Sequence, residues 1–493
     1  MMAWRDNGRR MAALGLALMV MAPPAWAGGK PDLTFEAPGG GTLQVKVYER
    51  LRGEFFDWFD PGGTVDPSQE FFAHKFQLGL AGTWEHVDAF VQYQQAVLVG
   101  IPDDGIGPPG VYFANTARSD QVSNILRQGW GRVRFGLHDW RMAVKFGRFL
   151  YSDGAETVPS NATMAWVKAK RISQRMIGPF DYTHVGRSFD GAVISATHGP
   201  LNVTGFGFLP MSGGFEVDGG RAIDDIRLGG ISVTHASLFD LPDLEGRLFW
   251  NIVSDNRPAG QGITVLDNRA AAVRAADTRD LEISTFGGHV LHARPLGPGT
   301  VDLMAWTGAQ FGDWQSQDHM AWAYAFEAGY QLPDLWAKPW LRVGYWRSSG
   351  DDDPTDGDHQ TFYQILPTAR LYARTPFFNL MNNADLFAQL MLKPIAGLGM
   401  RIDYHQLRAT EGRDIAYFGG GATKGDFFGF GGVPAAGDRE LGHLLDASAS
   451  YQVLSFVTAS VYYGHTFGGS IIRNAAAGDD DIDYGYVELV IAF

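Results

Sequence analysis

Beyond residue 27 the chain runs in segments of roughly ten residues that alternate apolar with polar or small side chains. In Met320-Ala321-Trp322-Ala323-Tyr324-Ala325-Phe326-Glu327-Ala328-Gly329-Tyr330 the large residues share one parity and the small or charged residues share the other. A period of two sends successive side chains to opposite faces of a strand and cannot form a helical stripe. The joins alternate too. Tight joins at residues 85–86, 136–139, 198–200, 241–243, 295–299, 333–334, 394–399 and 454–455 interleave with long ones at 101–122, 152–187, 211–226, 255–280, 348–382, 408–439 and 468–483. One outer join, 313–318, is comparatively short. This rhythm predicts an all-β fold, a transmembrane antiparallel β-barrel of about eighteen strands, with sixteen the next count, short periplasmic turns and long extracellular loops.

The first strand is expected over residues 42–55. Leu43, Val45, Val47 and Leu51 face one way, while Gln44, Lys46, Tyr48, Arg50 and Arg52 face the other. At the far end Val487, Leu489, Ile491 and Phe493 form an apolar face closing on an aromatic. That ending resembles the signal by which outer-membrane proteins are handed to the barrel-assembly machinery. The opening residues read as a leader. Arg5, Arg9 and Arg10 precede an apolar core over 11–21, and Ala25-Trp26-Ala27 offers a small-x-small cleavage site. The expected organisation is a cleaved signal peptide, 1–27, and one barrel domain, 28–493.

Composition narrows this picture. Aromatics at 13% and 63 glycines suit interface girdles, strand twist and tight turns. With no cysteine, neither a disulfide framework nor a thiol nucleophile is available. Beyond the leader no apolar run is long enough for a spanning helix, so a closed barrel is the one spanning solution that satisfies every backbone polar group. The net charge is −14, and removing the leader makes it more negative.

With grease outside, the opposite parity must face the lumen, and several strands put cations there. Arg50, Arg52, Arg132, Arg134, Lys145, Arg342, Lys393 and Arg401 are the candidate pore-lining, substrate-binding cations, with Asp302, Glu327, Asp385, Asp403 and Asp446 on the same parity. Two readings stay open. The charges pair across strands as a stiffening ladder, or the cations outnumber the anions at a constriction and hand an anionic solute along by bidentate guanidinium contacts. The segment 164–177, with Lys168, Lys170, Arg171 and Arg175, could form a short helix. It either folds inward to narrow the channel or stays outside against lipopolysaccharide phosphates, and the balance favours the outside. The run Asp351-Asp352-Asp353-Pro354-Thr355-Asp356-Gly357-Asp358 fails EF-hand spacing, because Pro354 takes a ligand position and Tyr363 stands where the closing Glu belongs. It reads as a solvated acidic loop. No metal or other cofactor is expected.

Phe146-Gly147-Arg148, Gly186-Arg187-Ser188-Phe189-Asp190-Gly191, the stretch from Ser349 to Gly357, Phe362, Leu366-Pro367 and Leu392-Lys393-Pro394 resemble, in order, the alginate export family of outer-membrane barrels. The resemblance implies an eighteen-stranded barrel in the bacterial outer membrane with an arginine-rich lumen through which a polyuronate leaves the cell. Arg148, Arg187 and Asp190 are the polar residues that match its motifs, and a structural Arg–Asp contact at the root of the third long loop is an alternative role for them.

The expected function is therefore a channel passing an anionic polysaccharide or related acidic sugar. Its expected partners are outer-membrane lipid and lipopolysaccharide, the acidic solute and periplasmic export proteins, with no nucleic acid. A porin-like uptake channel for small anions or oligosaccharides is the alternative. A barrel enzyme would need a His and a carboxylate to hold a nucleophile or water. The best pair, His405 beside Asp403, is more simply two polar neighbours on one strand face, so no catalysis is expected.

Overall fold

The computed structural model describes residues 30–63, 65–241, 243–366, 372–419 and 427–493. The expected leader, Pro242 of one tight turn and Pro367 of the Leu366-Pro367 motif lie outside the described residues.

Eighteen antiparallel strands form the wall. They are β1 (Gly41–Asp57), β2 (Ser68–Thr83), β3 (Val87–Val99), β4 (Gln121–Leu137), β5 (Trp140–Phe149), β6 (Phe189–His198), β7 (Leu201–Pro210), β8 (Ile226–His235) and β9 (Leu244–Asp255). The second half continues with β10 (Leu281–Leu296), β11 (Gly299–Trp314), β12 (Gln317–Gln331), β13 (Trp340–Ser348), β14 (Asn383–Leu392), β15 (Leu398–Ala409), β16 (Glu440–Leu454), β17 (Val457–Gly468) and β18 (Ile482–Ala492). Each strand pairs with its neighbour in sequence, and β18 closes the cylinder on β1, Arg52 opposite Glu488 and Tyr48 opposite Ala492. Closure leaves no sheet edge for lipid to meet. A short strand, Thr34–Ala37, folds back on β1 at the periplasmic rim.

The period of two sorts the faces as the sequence requires. On β12, Ala321, Ala323 and Ala325 are buried, while Met320, Trp322 and Phe326 are exposed. Leu78, Val91, Leu126, Phe146, Ile194, Phe286, Leu303, Leu341, Leu386 and Leu445 likewise look outward. Polar groups fill the inside, among them Gln94, Arg127, Thr234, Asp302, Gln310 and Arg342. A greasy exterior around a polar interior inverts the soluble-protein pattern and fits a bilayer. Among the described residues no helix is long and apolar enough to cross a membrane.

Two long loops do not stay outside. The loop between β5 and β6 carries a helix, Ala162–Val167, capped by the Asn161 side chain, which accepts from Thr163 N (3.0 Å) and Met164 N (3.2 Å). A π-helical turn, Lys168–Ile172, follows. Met164, Val167, Ile172, Met176 and Ile177 are all fully buried, and the helix touches the inner side of β10 and β11. The loop between β13 and β14 comes in from the other side and pairs with it. Gly178 N donates to Leu366 O at 2.8 Å, and Leu366 N donates to Met176 O at 2.9 Å. The segment 164–177 thus lies within the barrel. The sequence favours an outside placement for this segment, and the structure places it inside. The physical reason is its five buried apolar side chains, which could not be left in water at an extracellular surface.

Candidate functional site

The inward loops are bolted to the wall by ion pairs. Arg171 Nε reaches Glu327 Oε2 at 2.8 Å, and Arg342 Nη2 reaches the same oxygen at 2.9 Å. Arg342 also pairs with Asp302, whose other oxygen accepts from Trp340 Nε1 at 2.9 Å. Arg175 lies over the rings of Trp346 (4.9 Å), Trp306 (5.1 Å) and Tyr372 (5.3 Å) and donates to Tyr372 Oη at 2.8 Å. Lys168 meets Glu245 at 2.7 Å, and Arg247 meets both Asp153 and Glu156 at 2.7 Å. Guanidinium forks and cation–π contacts hold the geometry as well as the charge.

On the opposite wall the end of the same loop, residues 180–187, is held by β1, β2 and β4. Arg50 donates to the carbonyls of Asp181 (3.1 Å) and Thr183 (2.8 Å). Arg52 pairs with Glu488 (Nη2 to Oε2, 2.5 Å) and Glu54 (3.3 Å), and donates to Tyr182 O at 3.0 Å. Arg127 and Lys75 both take Asp181, at 2.6 and 3.4 Å. His184 bridges Arg50 and Glu54, with Nδ1 3.2 Å from the guanidinium and Nε2 2.6 Å from the carboxylate. Burial pulls the His184 imidazole down to about 4, so it stays neutral, accepting from arginine and donating to glutamate.

The candidate cations therefore divide. Arg50, Arg52 and Arg342 are buried loop anchors with carboxylate or carbonyl partners. Arg132 and Arg134 share Asp88 at 2.7 and 3.1 Å yet keep about two-fifths of each side chain open. Lys145 has no carboxylate at ion-pair distance among the described residues and rests over Phe149 (4.5 Å) and Trp130 (5.4 Å). Arg132 and Lys145 border a cavity of about 320 Å³ that Tyr151, Glu156 and Thr204 also line. Arg401 pairs with Asp403 and donates to Tyr372 O, keeping a fifth of its side chain accessible. Lys170 sits close to Arg374 and Arg401; partial desolvation of its ammonium, then these two charges, lower it below the usual lysine range. Lys393 stands exposed at the periplasmic turn after β14.

The motif residues lie elsewhere. Arg148 and Asp190 form a bidentate pair (2.7 and 2.6 Å) on the outward-facing parity of β5 and β6, and Arg148 Nη1 also donates to Gly220 O at 2.7 Å. Arg187 is buried over the Phe180 ring at 5.3 Å. Gly186 has φ +67°, and a Cβ there would stand 2.7 Å from Arg127 Nη2 and 2.8 Å from Asp181 Oδ1, which explains the glycine before Arg187. In the acidic loop, Asp351, Asp353 and Asp356 each accept from a backbone N–H two residues on. These are Asx turns.

Residues 43–482 match the family described as alginate export. The chain belongs to the alginate export family. No curated protein matches it significantly. Solved structures similar to it include OpdK of Pseudomonas aeruginosa, determined with vanillate, at 11% identity and TM-score 0.54, covering 91% of this chain and 98% of that one. OccAB1 of Acinetobacter baumannii gives 10% identity and TM-score 0.57, covering 92% and 96%. OccK9 (OpdG) of Pseudomonas aeruginosa gives 12% and 0.55, covering 91% and 98%. At such identities the likeness speaks to the fold, an eighteen-stranded outer-membrane barrel. Family and fold together make this member of the alginate export family a bacterial outer-membrane channel and not an enzyme.

Of the loop anchors, the sequence reading names Lys168, Arg171 and Arg175 only as members of the segment 164–177, and it does not single out Lys75, Arg127, Glu245 and Arg247. Buried apolar spacing at Met164, Val167, Ile172, Met176 and Ile177 was the available signal.

Proposed function

We propose that the barrel conducts a carboxylate-bearing sugar, from a single acidic unit to an extended polyuronate. The observation that carries this reading is that the cations left open in the lumen, Lys145 with Arg132 and Arg134, and Lys170 with Arg374 and Arg401, are not fully neutralised by neighbouring carboxylates. Such groups lower the electrostatic cost of holding a carboxylate in a narrow, partly desolvated passage. Several weak sites in succession let a charged chain advance without a deep trap. Trp130, half-buried beside Lys145 and Arg132, offers a ring for sugar stacking near these cations.

A small-anion uptake channel is the second reading. The inward loops favour it, because a cavity of about 320 Å³ suits a single small solute better than a wide polymer. Current block in planar bilayers by oligouronates of increasing length separates the two. Polymer export predicts block that strengthens with length, with neutral oligosaccharides of equal length inert. Block by monomers alone supports small-anion uptake, and indifference to all uronates contradicts both.

A further inference from the structure

On the lumen parity of β14, β15 and β16, behind the open cation Arg401, sits a cluster of acids and a histidine that conduction does not use. Asp403 and Asp446 are directly opposite each other across the β15–β16 ladder, and both are buried. Two facing carboxylates repel unless a cation lies between or beside them. A donor atom from each of Asp403, His405 and Asp446 lies within 4.8 Å of those of the other two.

Each member is held from behind. Asp385 engages His405 Nδ1 at 2.9 Å, leaving Nε2 buried with no hydrogen-bond partner. Arg401 takes Asp403 Oδ2, leaving Oδ1 buried and equally without a partner. Tyr462 Oη donates to Asp446 Oδ2 at 3.0 Å and is itself 2.8 Å from Thr375 Oγ1 of the inward loop. His405 and Asp403 side chains are at most 1% exposed, so water does not serve the two orphan atoms from bulk. A carboxylate behind an imidazole, with the far ring nitrogen free, is the arrangement that fixes the tautomer of a metal-ligating histidine.

The placement of the donors supports the same conclusion: Arg401 engages only the Oδ2 oxygen of Asp403, so Asp403 Oδ1 and His405 Nε2 are left facing the Asp446 carboxylate across the ladder. The mixed nitrogen and oxygen donors favour a first-row transition ion over calcium or magnesium, which take oxygen ligands.

We propose that Asp403, His405 and Asp446 bind one divalent ion of the zinc class in the barrel wall, with Asp385, Arg401 and Tyr462 orienting the ligands. Three protein ligands leave a coordination position for water or for a carboxylate. The site clips β15 to β16 and, through Tyr462 and Thr375, touches the loop that narrows the lumen.

The test uses the full-length folded barrel in detergent, stripped with a chelator and titrated with Zn²⁺ by calorimetry and with Co²⁺ by visible absorption. The expected result is one saturable ion per barrel with a ligand-field band for Co²⁺. His405→Gln and Asp446→Asn should each abolish that band, and Asp385→Asn should weaken affinity about ten- to hundredfold. Heat-modifiable migration on gels confirms that each variant is folded. Asp480→Asn, in the partly exposed acidic cluster 479–481, should leave binding unchanged. No saturable binding by the wild type would overturn the proposal and leave a cluster held by an imidazolium. Unchanged affinity in folded His405→Gln would overturn it as well.

Discussion

Arg171 of the inward loop and Glu327 of β12 meet at 2.8 Å with both side chains at most 1% exposed. The same carboxylate serves Arg342, so a single glutamate bridges one cation from the loop and one from the wall, and Asp302 supplies the second negative charge. Removing one partner of a buried ion pair costs about 3–5 kcal/mol, because the remaining charge is stranded. Glu327→Ala should therefore release the loop, raising single-channel conductance and lowering the temperature at which the barrel loses its compact gel migration. Wild-type conductance in a folded Glu327→Ala barrel would show that the loop does not narrow the passage.

Arg50 and Arg52 read from the sequence as pore-lining cations, yet their guanidiniums face Asp181, Thr183, Tyr182 and Glu488. Arg50→Ala with Arg52→Ala should increase current noise as residues 180–187 loosen, while the reversal potential in a salt gradient stays put. A large shift of that potential toward zero would return both residues to the conduction path.

The loop carboxyls Asp351 and Asp414 are pushed up to about 7 and about 6, burial being the largest cause in both and mutual repulsion adding to Asp351. Raised values mean that the folded loop binds protons more tightly than the unfolded chain. Their stabilising contribution is complete below the ordinary carboxylate range near pH 4 and is lost as pH rises through about 6 and then 7. Amide exchange over residues 411–418, corrected for intrinsic rates, should be slower at pH 5 than at pH 8, and Asp414→Asn should flatten the difference. Faster exchange at pH 5 would contradict the assignment.

Arg148 and Asp190 form their bidentate pair away from the lumen. Arg148→Lys keeps the charge but loses the fork. It should reduce the yield of folded barrel while leaving conductance and selectivity of the folded fraction unchanged. Altered selectivity would place the pair in the solute path.

Strand positions were legible because lipid and lumen impose opposite chemistry at every second residue, and the closing hairpins carry turn residues. The 313–318 join, for example, is a tight hairpin with Asp313 opposite Asp318. The lumen parity of Arg342 and Arg401 was legible for the same reason. What fills the lumen was not. A strand's period shows that Arg50 points inward but not that Asp181, far along the chain, comes to meet it. Lys168, Arg171 and Arg175 look alike in an outer loop and in an inner one until their apolar neighbours are counted with them. The partners that separate loop anchors from open cations are set by tertiary contacts between distant segments.

The central claim is that the unneutralised lumen cations select for negative solutes. The reversal potential of the reconstituted barrel across a potassium chloride gradient at low ionic strength, where screening is weakest, measures this directly. Anion selectivity that moves toward zero in Lys145→Gln with Lys170→Gln is the predicted result. A cation-selective wild type, or a double variant indistinguishable from it, would contradict the account.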